Sequence, residues 1–308
     1  EKHRKTRFEA AADNGGGALF NDGGTLTVVQ GTITNNKADT GSGSGGGLLT
    51  VAGTVEVINS TFARNSANRA GGAAEIIAGD VTIDRSTLSR NATGPNPGNG
   101  GAVHVSGAAD TTIKRSKVVN NTATNEGGGL WNSGTGTMTV NDVRVAGNTA
   151  AGVEATNGGG GVFQDAGGEL NIVQSTIVKN KATGAAGSGG GVLNDQGTVS
   201  VVNSTISKNS AVRAGGGIEA NVGTTSVDRT TLSENTAGDG PGNGGAFHLT
   251  GAGTVEVKRS TVTDNVAASE GGGLWNSAAG VFTVVDTVVS GNEAKGNDAD
   301  QGGGGPFN

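Results

Sequence analysis

The chain has 308 residues, 60 of them Gly, with 4 Pro, no Cys, 33% apolar residues, 3% aromatics and a formal charge of -6. Without Cys a disulfide scaffold, a thiolate zinc site and a thiol nucleophile are excluded; without a Gly-X-Y period collagen is excluded; without an 18-residue apolar run no segment reads as membrane-spanning. The weak acidic charge, with no basic run beyond Lys2–Arg7, points away from nucleic acid as a partner.

Residues 1–13 are charged and lack Gly, so they read as an N-terminal cap or a segment left from something upstream. No positively charged stretch leads into an apolar run, so a targeting signal is expected to be removed or to lie outside this sequence. From residue 14 onward a short repeat sets the pattern. An Asn follows an apolar residue by three positions at Asn36, Asn65, Asn91, Asn121 and Asn148, then at Asn180, Asn209, Asn235, Asn265 and Asn292. The spacings are 29, 26, 30, 27 and 32, then 29, 26, 30 and 27 again. Ten short repeats thus form two units of 144 residues, at 14–157 and 158–301, with residues 302–308 opening a further coil. The string EGGGLWNS stands at 126–133 and again at 270–277.

Within each repeat, apolar residues alternate with polar ones, which is the period of a strand. Leu48, Val55, Val57 and Phe62 point inward in the second repeat, with Leu49, Glu56, Thr61 and Ala63 pointing outward. Later repeats place Val81/Ile83, Met138/Val140, Leu170/Ile172, Val199/Val201 and Val255/Val257 inward. No segment carries a 3.6-residue period. Three short strands per repeat, repeated about ten times, predict an all-β parallel β-helix, because one coil cannot enclose its own few inward side chains and stacked coils can. At about 4.8 Å per coil the rod would be roughly 45–50 Å long. The Asn series reads as a structural ladder at one corner, each amide bonding to its neighbours above and below, with Asn itself suited to a left-handed corner. The Gly runs read as tight corners.

Two motifs carry a resemblance. Gly71-Gly72-Ala73-Ala74, Gly100-Gly101-Ala102-Val103 and Gly244-Gly245-Ala246-Phe247, together with Phe62-Ala63-Arg64-Asn65, are similar to the repeats of chlamydial-type polymorphic outer membrane proteins. In the other repeats Ile, Leu or Val stands in place of Phe. The resemblance covers about residues 14–308. It implies a right-handed coil, an extracellular or cell-surface location, and an adhesive or passenger role.

Candidate chemistry gathers at the first outward position after each Gly run. That column reads Phe20, Leu49, Glu75, His104, Trp131, then Phe163, Leu193, Glu219, His248, Trp275, and finally Phe307. Its apolar members, Phe20, Leu49, Trp131, Phe163, Leu193 and Trp275, would form a stripe needing a cover. The cover is either the chain's own loops (149–157 and 293–301), a protein partner or second copy, or sugar rings stacked on Trp131 and Trp275. Glu75 beside His104, and Glu219 beside His248, would lie about 5 Å apart on neighbouring coils. Such pairs suit either acid–base work on a polysaccharide or plain cross-strand pairing. The loops SANRA/SAVRA and TATNE/VAASE are small and alike in both units, whereas a catalytic site breaks regularity, so the reading leans away from an enzyme.

No cofactor is expected. The three His, at His3, His104 and His248, never stand at metal-ligand spacing. The acidic loop 296–300 is compatible with adventitious calcium. An outward Thr row (Thr32, Thr61, Thr87, Thr176, Thr205, Thr231, Thr261) is interrupted by Lys117, Arg144 and Val288, and reads as β-propensity rather than an ice-ordering face. Asp84–Arg85 beside Lys114–Arg115, and Asp228–Arg229 beside Lys258–Arg259, read as ordinary, screened inter-coil charge pairing. The expected role is a stiff secreted or surface-displayed stalk that self-associates end to end or laterally, or binds an extracellular protein or glycan; the alternative is a polysaccharide-binding or -cleaving β-helix using the Glu/His/Trp stripe.

Overall fold

A computed structural model describes residues 14–298 and 301–307. The segment 1–13, read as a cap, lies outside the described residues. Among them there is no helix, and hence none able to cross a membrane. All strand pairs are parallel and each coil pairs with the next, giving a β-solenoid of about ten turns.

Three sheets run the length of the solenoid. The first takes two segments from most coils, such as Leu130–Asn132 and Thr137–Asn141. In the first two coils these fuse into Leu19–Val29 and Leu48–Ile58. The second sheet holds ten three-residue strands, from Thr32–Thr34 to Val288–Ser290. The third holds ten two-residue strands, from Lys37–Ala38 to Glu293–Ala294. Register is kept residue for residue: Val103 pairs with Leu130, Leu130 with Val162, Val162 with Val192.

Because successive side chains of a strand face opposite ways, this register stacks like on like. Leu48, Val55, Val57, Phe62 and their equivalents merge into one continuous apolar column. Each fully buried aliphatic there contributes roughly 1.5–3 kcal/mol. The column opens at its ends, where Leu19, Leu26 and Val28, and then Phe282 and Val289, are only partly buried.

Each coil turns three corners, and each corner holds a left-handed residue. In the coil of Asn121 these are Gly100 (φ 64°), Arg115 (φ 48°) and Asn120 (φ 57°). The ladder Asn residues are not the left-handed ones, contrary to the sequence expectation. The residue just before each takes that conformation: Arg64, Arg90, Asn120, Lys179, Lys208, Glu234 and Asp264 all have φ between 54° and 57°. This frees each ladder Asn for hydrogen bonding. From Asn65 to Asn265, each Nδ2 donates forward to the next ladder Oδ1 and backward to a carbonyl one coil earlier. The backbone N–H of each donates to the same forward Oδ1. One side chain thus ties three coils together.

A second ladder runs at the corner between the first and second sheets. The backbone N–H of Ser60 donates to Ser86 Oγ, that of Ser86 to Ser116 Oγ, that of Ser175 to Ser204 Oγ, and that of Ser204 to Thr230 Oγ1. Val143 interrupts it. In the Gly runs the first residue serves the turn and the second serves packing: a Cβ on Gly128 would lie 2.3 Å from the Gly160 carbonyl oxygen.

Candidate functional site

The column from Phe20 to Phe307 exists, in backbone register from coil to coil. Its middle is not a solvent-facing stripe. Leu49, Glu75, Leu193 and Glu219 are 0% exposed, His104, Phe163 and His248 3%, and Trp131 8%. Among the members whose side chains are described, Phe20, at 52%, is strongly exposed, and Trp275 is half-buried. Trp131, Phe163 and Leu193 form an apolar cluster of their own, separate from the central column. The expectation of an open partner-binding stripe is therefore corrected at Leu49, Trp131, Phe163 and Leu193.

The cover comes from the chain's own corner loops, the same small polar loops that repeat between units. Arg69, in the SANRA loop, reaches Glu75 Oε1 at 3.2 Å and donates to Ser44 Oγ at 3.2 Å. Arg213, in SAVRA, repeats this with Glu219 at 3.4 Å and Ser188 at 3.0 Å. Glu126, ending TATNE, accepts from Trp131 Nε1 at 3.0 Å, Asn99 Nδ2 at 3.2 Å and Asn157 Nδ2 at 2.6 Å. Glu270 accepts from Trp275 Nε1 at 2.8 Å and Asn243 Nδ2 at 3.3 Å.

Both sequence-predicted Glu–His pairs form. His104 Nδ1 lies 2.9 Å from Glu75 Oε2, and His248 Nδ1 lies 2.9 Å from Glu219 Oε2. Thr250 Oγ1 also donates to Glu219. Each imidazole stacks on the next indole, at 4.3 Å for His104–Trp131 and 4.2 Å for His248–Trp275. General acid–base work needs a reacting group within hydrogen-bond reach. Here each carboxylate is 0% exposed between an Arg and an imidazole, so Glu75 with His104 and Glu219 with His248 stand as cross-strand pairs under the loops, with neither carboxylate presented to solvent. Sugar stacking on Trp131 fails for a related reason. One indole face carries His104 and the other carries Phe163, 5.8 Å away and nearly parallel. A shallow depression over the third sheet, lined by Ala182, Ala211, Val212 and Thr236, contains no residue of the stripe.

Sequence reasoning missed Arg69, Arg213, Glu126, Glu270 and the Ser ladder. Signals were present. Glu126 and Trp131 stand five apart inside a string that recurs intact, and Arg69 precedes Glu75 by six, as Arg213 precedes Glu219. Within the acidic loop 296–300, residues 299–300 lie outside the described ones. Among the described residues no three His, Asp or Glu side chains gather as metal ligands.

Two Arg–Asp contacts are closer than screened surface pairs. Arg115 Nε donates to Asp84 Oδ1 at 2.8 Å and its Nη2 to Oδ2; Arg259 repeats both on Asp228, at 2.8 and 2.6 Å. These bonds hold the Asp84 and Asp228 carboxyls below the usual range, against some desolvation. Burial pushes Glu126 the other way, above the usual range, with the Trp131 and Asn157 bonds opposing. The signs differ accordingly. Stability from Asp84 and Asp228 is complete above the unfolded Asp value of about 3.9 and is lost as pH falls through their lower folded values. Ionised Glu126 opposes folding, so its share of stability rises as pH falls through its raised folded value. Denaturant midpoints across pH 2–7 should therefore show Asp84→Asn plus Asp228→Asn flattening the most acidic limb. Glu126→Gln should flatten only the limb nearer neutrality.

Comparison with protein-family models, with curated proteins and with solved structures finds no match.

Proposed function

We propose that this chain is a stiff structural and adhesive rod of a secreted or cell-surface protein. The observation that carries the reading is the use made of the chain's reactive-looking groups. In both units the carboxylates, imidazoles and indoles are drawn under corner loops by Arg69, Arg213, Glu126 and Glu270, as parts of one repeated packing scheme. Two ladders of side-chain amides and hydroxyls run beside the backbone ladders, which suits a rod that resists bending between coils. What the solenoid offers to its surroundings is its outer sheet faces, where a partner or a second copy would dock.

Small-angle scattering and a turnover assay test this. Scattering is expected to give a slender rod. A panel of polysaccharides is expected to yield neither new reducing ends nor unsaturated products. Turnover that disappears in a Glu75→Gln plus Glu219→Gln variant would replace the rod by the polysaccharide-cleaving reading. Beads coated with the chain should also adhere to cell surfaces or to one another more than albumin-coated beads do.

A further inference from the structure

The two 144-residue units share a fold but differ in charge on the second sheet. In the first unit Arg64, Arg90, Lys114, Lys117 and Arg144 occupy this sheet and the corners beside it. Lys117 and Arg144 are direct register neighbours, and Lys117 also pairs with Thr87, three residues before Arg90. Four of the five are exposed and Lys114 is half-buried. None of the five makes an ion pair or a side-chain hydrogen bond among the described residues.

The equivalent positions in the second unit are Lys208, Glu234, Lys258, Thr261 and Val288. There the two lysines are matched by acids, Lys208 with Glu234 at 3.5 Å and Lys258 with Glu256 at 2.6 Å. In the first unit Arg90 stands where Glu234 does and Thr112 where Glu256 does. Repetition therefore supplies an internal control: the fold tolerates a neutral face here, yet one unit carries four cations with no acid partner, and a fifth, Lys114, beside an Asp84 already held by Arg115, in a chain of net charge -6. Of the acids beside them, Asp84 pairs in register with Lys114 and is held by Arg115, and exposed Asp142 stands two residues before Arg144. The sequence showed no basic run here because the five residues lie 3 to 27 positions apart along the chain; stacking brings them within about 15 Å along the rod, given about 4.8 Å per coil.

We infer that this face of the first unit binds a linear anionic polysaccharide. Arg guanidinium groups suit carboxylate and sulfate oxygens. The side chains between the cations include the Thr61 and Thr87 hydroxyls, which suit a hydroxyl-rich chain. A shallow depression between Arg115, Lys117, Arg144 and Gln174 gives the face relief. Single-stranded nucleic acid is a poorer fit, because its binding leans on aromatic platforms. Phe62, the aromatic residue of these strands, faces the core. This gives the adhesive rod a partner class and rests on that reading for its setting. Scattering and turnover test the rod itself, and the substitutions below leave both unaffected, so the two can fail separately.

Binding is measured with the whole chain against polygalacturonate, dextran sulfate, uncharged dextran and a single-stranded oligodeoxynucleotide, across a salt series. Both acidic polysaccharides should bind, increasingly weakly as salt rises, and dextran should not. The triple variant Arg90→Glu, Lys117→Thr, Arg144→Val installs residues the second unit already carries, so the fold should accept it. It should weaken binding at least tenfold and make the salt dependence shallower. The reciprocal transplant Glu234→Arg, Thr261→Lys, Val288→Arg should raise the stoichiometry toward two sites per chain. Absence of polysaccharide binding, undiminished binding by the triple variant, or tighter binding of the oligonucleotide than of both acidic polysaccharides would each overturn the assignment.

Discussion

Asn148→Ala is expected to destabilise the solenoid by about 3–5 kcal/mol, far more than an average polar-to-alanine change, because it orphans several buried groups at roughly 1–3 kcal/mol each. Asn148 is 0% exposed. Its Oδ1 accepts both the backbone N–H and the side-chain Nδ2 of Asn121, each at 2.9 Å. Its Nδ2 donates to the Val118 carbonyl and to Asn180 Oδ1, again at 2.9 Å. Alanine removes all four contacts, and no water-accessible route remains for the stranded groups. Partial relaxation keeps the total below the sum of the separate penalties. Asn36→Ala is the matched control. Asn36 is half-buried and its side chain only donates, to Asn65, so its loss should cost about 1 kcal/mol, near the net worth of an ordinary hydrogen bond. Urea unfolding at constant slope would compare the two, and amide exchange at Asn121 would show the interior loss locally. Equal costs at Asn36 and Asn148 would mean that ladder position is irrelevant and that the amides are bystanders to the backbone ladders.

The legible part of this protein is whatever repeats with a strand's period. Alternation identified Leu48, Val55, Val57 and Phe62 as inward, and one Asn per coil set the number of turns. The same alternation misled at the neighbouring column. Leu49, Glu75 and Trp131 do face away from the central core, but facing away from the core is not facing water when corner loops fold back over the strand. That covering is a tertiary event. Its sequence trace is only the fixed offset between Arg69 and Glu75 and between Glu126 and Trp131. The left-handed corners escaped for a different reason. Asn is the habitual occupant of that conformation, yet here the amide is worth more as a bridge across three coils, and the strain falls on Arg64 or Lys179 just before it. The basic face was invisible because linear charge runs and solenoid charge columns have different neighbours.

The second large effect concerns the buried Arg–Glu–His group. Arg69→Ala should cost about 3–5 kcal/mol, the range for removing one partner of a buried ion pair. Glu75, 0% exposed, would keep only the His104 contact, and the oxygen that Arg69 serves would lose its charge partner. Replacing the whole group should behave differently. Arg69→Met, Glu75→Leu and His104→Phe would continue Leu49 on one side into the Trp131–Phe163–Leu193 cluster on the other. Such all-apolar replacement of a buried charged group is often neutral or stabilising. The triple variant is therefore expected to match or exceed the wild-type urea midpoint. The second unit supplies the discriminating comparison. Thr250 gives Glu219 a hydroxyl donor, whereas the equivalent Ser106 contacts the Ile76 carbonyl instead. Arg213→Ala should accordingly lose less than Arg69→Ala. If the all-apolar variant falls as far as Arg69→Ala, the charges set the strand register here and packing alone does not. If Arg213→Ala costs as much as Arg69→Ala, the threonine hydroxyl does not compensate for the missing guanidinium.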